Sequence, residues 1–412
     1  MTNNSKVEIM APVGSFESLR AAIQAGADSV YFGIEQLNMR ARSSNNFTLE
    51  DLEKITTICD EHRIKTYLTL NTIIYDHDLA LMKTIIKAAK DNRISAVIAM
   101  DQAAIMYANK IGVPVHISTQ INITNIETLE FYAQFADVVV LSREMTLKQI
   151  EAICRQVEER QLTGPSGELI RIETFVHGAL CMAISGKCYL SLHTHNSSAN
   201  RGACKQNCRR TYEVKDEEGF EYKIENEYIM SPKDLNVIGF LDKIINAGVR
   251  ILKIEGRSKG PDYVYTVVTA YREAKEAVLD GTFSQKKVAG WMEDLSNVYN
   301  RGFWGGYYLG KKLGEWTDAP GSKAKKKKSF IGTGVKYYGK IGIGEFKLQQ
   351  GKLKIGDEII ITGPTTGLIQ TTVKTIRVED KDVDFVTANI PFSMPVERKI
   401  RPSDKLYLVE KQ

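Results

Sequence analysis

The stretch Glu173-Thr-Phe-Val-His-Gly-Ala-Leu-Cys181 decides how this chain is read. Its opening residues form the apolar, β-prone run of a buried strand, and a glycine then releases the chain. A cysteine follows at once, the first of four within 28 residues: Cys181, Cys188, Cys204 and Cys208. Similar β-rich runs occupy residues 7–11, 29–32, 65–70, 96–99, 115–118, 137–141 and 251–254. Between most of them lie amphipathic helical stretches. Thr146-Leu-Lys-Gln149 fits a capping box, and Thr48-Leu-Glu-Asp51 places acids in a first turn. Gly26, Gly112 and Gly248 close helices just before the next strand. Strands alternating with helices give a parallel sheet, and eight such units predict an α/β fold, a closed (β/α)8 TIM-like barrel.

One unit is unusual. After the seventh strand about 55 residues intervene before a helix expected to start near Asp234, so an insertion spans about 178–233. It carries all four clustered cysteines. Loops at that end of a barrel form its catalytic face. A break follows at Asn300-Arg-Gly-Phe-Trp-Gly-Gly-Tyr-Tyr308. The expected division is a barrel over 1–318, a basic linker over 319–329 and a small all-β barrel over 330–412. In the last, Lys354-Ile-Gly-Asp-Glu-Ile359 resembles the small β-barrel of translation factors.

At 412 residues, two or three domains are expected. The net charge of +5 is unevenly spread: from Gly321 onward there are 18 Lys and Arg against 10 Asp and Glu, elsewhere 37 against 40. A basic tail on a near-neutral body points to a polyanion or to a solvated lysine face. Residues 1–6 lack the apolar core of a signal peptide, and no apolar run approaches the ~20 residues of a membrane helix. The cytoplasm is the expected compartment, and grouped cysteines there are more often metal-binding or catalytic than disulfide-bonded. Cys59 and Cys154, each alone in a helical pattern, read as core residues.

The spacing Cys-x6-Cys-x15-Cys-x3-Cys is neither a zinc ribbon nor the bacterial ferredoxin run. An iron–sulfur cluster, zinc and unligated thiols all remain open, as does a Cys181 nucleophile paired with His177. Polar residues just beyond the strands include Asn71, Asp101, Gln120, Arg143, His177, Glu255 and Arg257, with Arg40 and Arg42 after the second strand. His177, Glu255 and Gln120 are the catalytic candidates, His177 because imidazole titrates near neutrality. Arg42, Arg143, Arg257 and Asn71 are candidates to hold an anionic substrate. Arg209, Arg210 and Lys325, Lys326, Lys327 and Lys328 are candidates to meet phosphates.

The segment from Glu173 to Ser191, with Gly178-Ala-Leu-Cys181, Gly186 and Cys188, resembles the signature of the collagenase-like peptidase family U32. Ala11-Pro-Val-Gly14, Ser118-Thr-Gln-Ile-Asn122, Asn200-Arg-Gly-Ala-Cys204 and Lys253-Ile-Glu-Gly-Arg257 extend the resemblance over residues 6–310. The family name implies proteolysis. The resemblance also covers RNA-hydroxylation proteins that bind iron–sulfur clusters through cysteines of this region, and length and tail are most similar to the tRNA branch. It implies a prephenate-dependent enzyme converting the wobble uridine of tRNA to 5-hydroxyuridine, with a (4Fe–4S) cluster on the four cysteines. The partners implied are tRNA and a small anionic cosubstrate, with no membrane; a homo-oligomer or a paralogous chain is the candidate assembly partner. The rival expectations are a peptidase, zinc-dependent or metal-free, and a non-catalytic RNA-binding protein.

Overall fold

The computed structural model describes residues 7–42, 46–219, 221–222, 228–311, 313–319 and 321–412. Residues 1–6, read above for targeting, lie outside the described residues, as do parts of the expected insertion (220 and 223–227) and Pro320 of the expected linker. Eight parallel strands close into a ring: Glu8–Pro12, Ser29–Phe32, Lys65–Leu70, Ala96–Ala99, Val115–Ile117, Val138–Val140, Arg171–Gly178 and Ile251–Ile254. The eighth pairs with both the seventh and the first, at Ile251↔Glu173 and Glu8↔Ile251. The (β/α)8 expectation is met.

Local chemistry explains the boundaries. The Thr146 hydroxyl accepts from Gln149 N, and the Gln149 side chain accepts from Thr146 N, completing the capping box. Gly248 follows a helix at φ +98°, and a Cβ there would collide with the buried Cys154. Cys59 and Cys154 are core residues, and burial pushes both thiols up to about 12.

The helix expected near Asp234 starts later. Asp234–Asn236 is a short strand, antiparallel to the end of the seventh and parallel to Phe303–Trp304. Its helix runs only over Leu241–Asn246. The Asp234 carboxylate, which could have capped a helix, instead accepts from Arg301 N and Nε at 3.1 and 3.0 Å.

The barrel axis is polar below the cavity. Glu8 accepts from Tyr67 Oη (2.8 Å), Arg171 (2.9 Å) and Lys65 (3.1 Å). Above it, Lys253 Nζ donates to Glu173 Oε1 at 2.6 Å, with His116 Nδ1 3.9 Å from Glu173 Oε2. These charges are paired, which buried ions require.

The C-terminal region is antiparallel β with its own core, including Ile331, Phe346, Ile361 and Leu406. It packs on the barrel through Ala21, Ile360 and Leu368, and the Gln24 side chain accepts from Leu368 N at 3.0 Å. The expected linker is shorter than 319–329, because strand Lys326–Tyr338 already contains three of its lysines. That strand pairs with Lys405–Lys411, and the lysines are matched by carboxylates: Lys325 by Glu293, Lys326 by Glu358 and Lys328 by Asp262. The run is therefore largely neutralised, contrary to its reading as a phosphate-binding tract; Lys327 is exposed. No helix among the described residues is long and apolar enough to cross a membrane.

Candidate active site

At the ends of the barrel strands the insertion closes over a cavity of about 240 Å³. Its wall contains Asn71, Gln120, Arg143, Glu255 and Arg257 together with Cys181, Cys188, Cys204, Cys208 and Arg209. Residues far apart in the sequence thus share one concavity. The wall carries seven Lys and Arg side chains against two carboxylates, so it favours anions.

Glu255 is the centre of this charge. Its Oε1 lies 2.6 Å from Arg40 Nη2, and its Oε2 accepts from Tyr31 Oη at 3.0 Å. Burial pushes the carboxyl upward, but Arg40, Arg143 and Arg257 outweigh that and hold it down at about 2. Glu255 is therefore an anion throughout the neutral range and a poor base.

Besides Arg209, three cations of the wall have no carboxylate within ion-pair distance among the described residues. The Arg257 guanidinium donates to Thr69 Oγ1 (2.9 Å) and Asn38 Oδ1 (3.1 Å), and burial lowers it to about 10. Gly33 makes room for it, since a Cβ there would overlap Arg257 Nη1 and the Asn38 amide. Arg143 stacks 3.8 Å above the Phe175 ring centroid and donates to Ala179 O at 3.2 Å; its buried Nε has no partner. Lys259 Nζ lies 2.9 Å from the Tyr299 ring centroid. Burial, reinforced by Arg301, lowers its ammonium to about 8.

The two amides touch each other, with Asn71 Nδ2 3.4 Å from Gln120 Oε1. Asn71 Oδ1 also accepts from Met39 N at 3.2 Å, fixing the loop that carries Arg40.

The four thiols are free, with Cys181 exposed and the others half-buried. Each has soft-ligand chemistry, and three have a cation within electrostatic reach: Arg143 for Cys181, Arg40 for Cys204 and Arg209 for Cys208. Among the described residues no three His, Cys, Asp or Glu side chains are arranged to hold a single metal ion. Tetrahedral zinc needs sulfurs about 3.8 Å apart. The four cysteines nonetheless line one cavity wall, and thiolates are the ligand type of soft metal centres.

Several expectations are corrected. His177 is not part of the cavity wall. It is 1% exposed, packed among Tyr263, Tyr271 and Phe303, and burial lowers it to about 3. It is a neutral core residue, unsuited to proton transfer or to activating Cys181. Arg42 is outside the wall, and Arg40 occupies the place expected of it. Arg209 is a strut: it donates to Ser231 Oγ, Pro232 O and Leu180 O. Arg210 is exposed. Tyr31, Lys259 and Arg301 were not anticipated. The inward face of the second strand and the run Glu255-Gly-Arg257-Ser-Lys259 were the available signals.

Fold and wall together define a (β/α)8-barrel protein with a thiol-bearing, cationic cavity at its catalytic face. The chain belongs to peptidase family U32, whose profile matches residues 14–318. It is 59% identical over 411 residues to a Porphyromonas gingivalis protein named collagenase, covering 100% of this chain and 99% of that one. It is 31% identical over 416 residues to a Bacillus subtilis tRNA hydroxylation protein (97% and 94% covered). It is 34% identical over 279 residues to an Escherichia coli 23S rRNA 5-hydroxycytidine synthase (68% and 40% covered).

Proposed function

We propose that this protein hydroxylates an RNA base, converting the wobble uridine of tRNA to 5-hydroxyuridine with prephenate as cosubstrate. One observation carries the reading: four thiols and a surplus of unpaired cations share a single cavity wall. Relatives named for tRNA and rRNA base hydroxylation support it. Cys181, Cys188, Cys204 and Cys208 would hold a (4Fe–4S) cluster, which supplies one-electron redox chemistry when bound. Arg143, Arg257 and Lys259 receive the carboxylates of the cosubstrate. Glu255 keeps Arg40 and Tyr31 in place. Asn71 and Gln120 offer amide donors and acceptors to a base edge.

The modified-nucleoside profile of tRNA tests this. Cells lacking the protein should lose 5-hydroxyuridine, and reconstituted enzyme with prephenate should restore it. Unchanged tRNA would overturn the substrate assignment. The second reading, a collagenase-like peptidase, rests on the name of the 59% identical relative. It requires gelatin cleavage by purified protein. Cys181 as its nucleophile lacks a basic partner in His177, which is buried and neutral.

A further inference from the structure

Between Glu173 and Glu213 the chain carries five Lys and Arg and no Asp or Glu. Most of this acid-free stretch, from Gly178 on, belongs to the insertion above the cavity. Two of its cations are consumed internally. Arg201 pairs with Asp78 and donates to Ile73 O at 2.8 Å, while Arg209 ties Leu180 to Ser231 and Pro232. Further bonds stiffen the stretch: Arg42 N to Gly202 O (3.2 Å), His193 N to Tyr189 O (2.8 Å) and Tyr212 Oη to Asn207 O (2.8 Å). The other three cations, Lys187, Lys205 and Arg210, are exposed.

Tyr189, two residues from Lys187, is 74% exposed, and Lys205 N donates to Ser191 Oγ at 2.9 Å, bringing the Lys205 backbone to the same helical turn. Its chain neighbours Cys188 and Leu190 both line the cavity, so the ring sits at the rim. Met182, Ile184 and Leu192 are also unusually exposed for apolar side chains. An exposed aromatic ring in a hydrogen-bonded stretch that carries exposed cations and no carboxylate has the ingredients for binding single-stranded nucleic acid. Each base offers a π-face to the ring, and its phosphates meet the lysines and arginines. A peptide would find no carboxylate in this stretch for its own cations.

We infer that Tyr189 is a stacking platform for an unpaired nucleotide of the RNA substrate, with Lys187, Lys205 and Arg210 on the adjoining phosphates. This rests on the reading of the substrate as RNA. It moves the RNA contact from the neutralised C-terminal lysines to the rim of the cavity. A base displaced from its own stack can then enter beside a ring that replaces the lost stacking.

The test uses full-length, cluster-loaded protein and the tRNA anticodon stem-loop, with Tyr189→Ala, Tyr189→Phe and Tyr189→Trp. Tyr189→Ala should weaken binding and raise KM for RNA by roughly 5- to 100-fold, with kcat and iron content near wild type. Phe and Trp should restore binding to within about twofold, because stacking needs a ring and not the hydroxyl. Wild-type affinity in Tyr189→Ala overturns the inference while leaving RNA hydroxylation standing. So does loss of binding that neither Phe nor Trp rescues. Wild-type protein that binds no RNA but loses gelatin affinity on Tyr189→Ala overturns both.

Discussion

Arg40 Nη2 and Glu255 Oε1 lie 2.6 Å apart across the mouth of the barrel, joining the loop after the second strand to the end of the eighth. The pair is one link in a half-buried arrangement in which a single carboxylate faces Arg40, Arg143 and Arg257.

Glu255→Gln leaves those guanidiniums without their counter-charge. The Glu255 carboxyl ordinarily titrates at 4.5 and in the fold at about 2. Its contribution to stability is therefore present above 4.5 and lost as pH falls toward about 2. That shift corresponds to about 3 kcal/mol. Urea unfolding of the variant at about pH 6 should show a loss of this order, shrinking in acid. A deficit that does not change with pH would disprove the electrostatic account.

Lys259 should give anion binding an alkaline limit. Its ammonium titrates at about 8, so affinity for prephenate should fall as pH rises through that value. Lys259→Arg should keep binding flat to about pH 9, since guanidinium stays charged there. Calorimetric titration across this range is the measurement. An unchanged alkaline limit in Lys259→Arg would remove Lys259 from the anion site.

His177→Ala should act on stability and not on chemistry. Removing a ring packed among Tyr263, Tyr271 and Phe303 should destabilise the barrel by about 3 kcal/mol in denaturant. The pH–rate profile should keep its shape. A vanished limb in that profile would reinstate His177 as a proton carrier.

Single Cys→Ser changes at positions 181, 188, 204 and 208 should each deplete iron and visible absorption in anaerobic preparations. Cys59→Ala and Cys154→Ala should retain about four irons per chain, because both thiols are in the core. Equal iron in all six variants would place any cluster elsewhere.

What the sequence revealed followed from local rules. Strand runs, helix caps and closing glycines are written in neighbouring residues, so the barrel and the placing of the cysteines at its mouth were legible. Asp234 was misread because its partner is Arg301, 67 positions away. The lysine run looked free because Asp262, Glu293 and Glu358 reach it only through tertiary packing. His177 showed its chemistry but not its surroundings. Arg40 and Arg42 were indistinguishable until the loop between the second strand and its helix was placed.

The paired charges along the barrel axis have a kinetic meaning. Glu8, Arg171, Glu173 and Lys253 plug the axis beneath the cavity and close it on that side among the described residues. Under the proposed function, the small anion enters before the RNA seats on the rim and leaves after it. For the proposed RNA hydroxylation this floor predicts compulsory-order kinetics, with RNA trapping the bound anion against exchange.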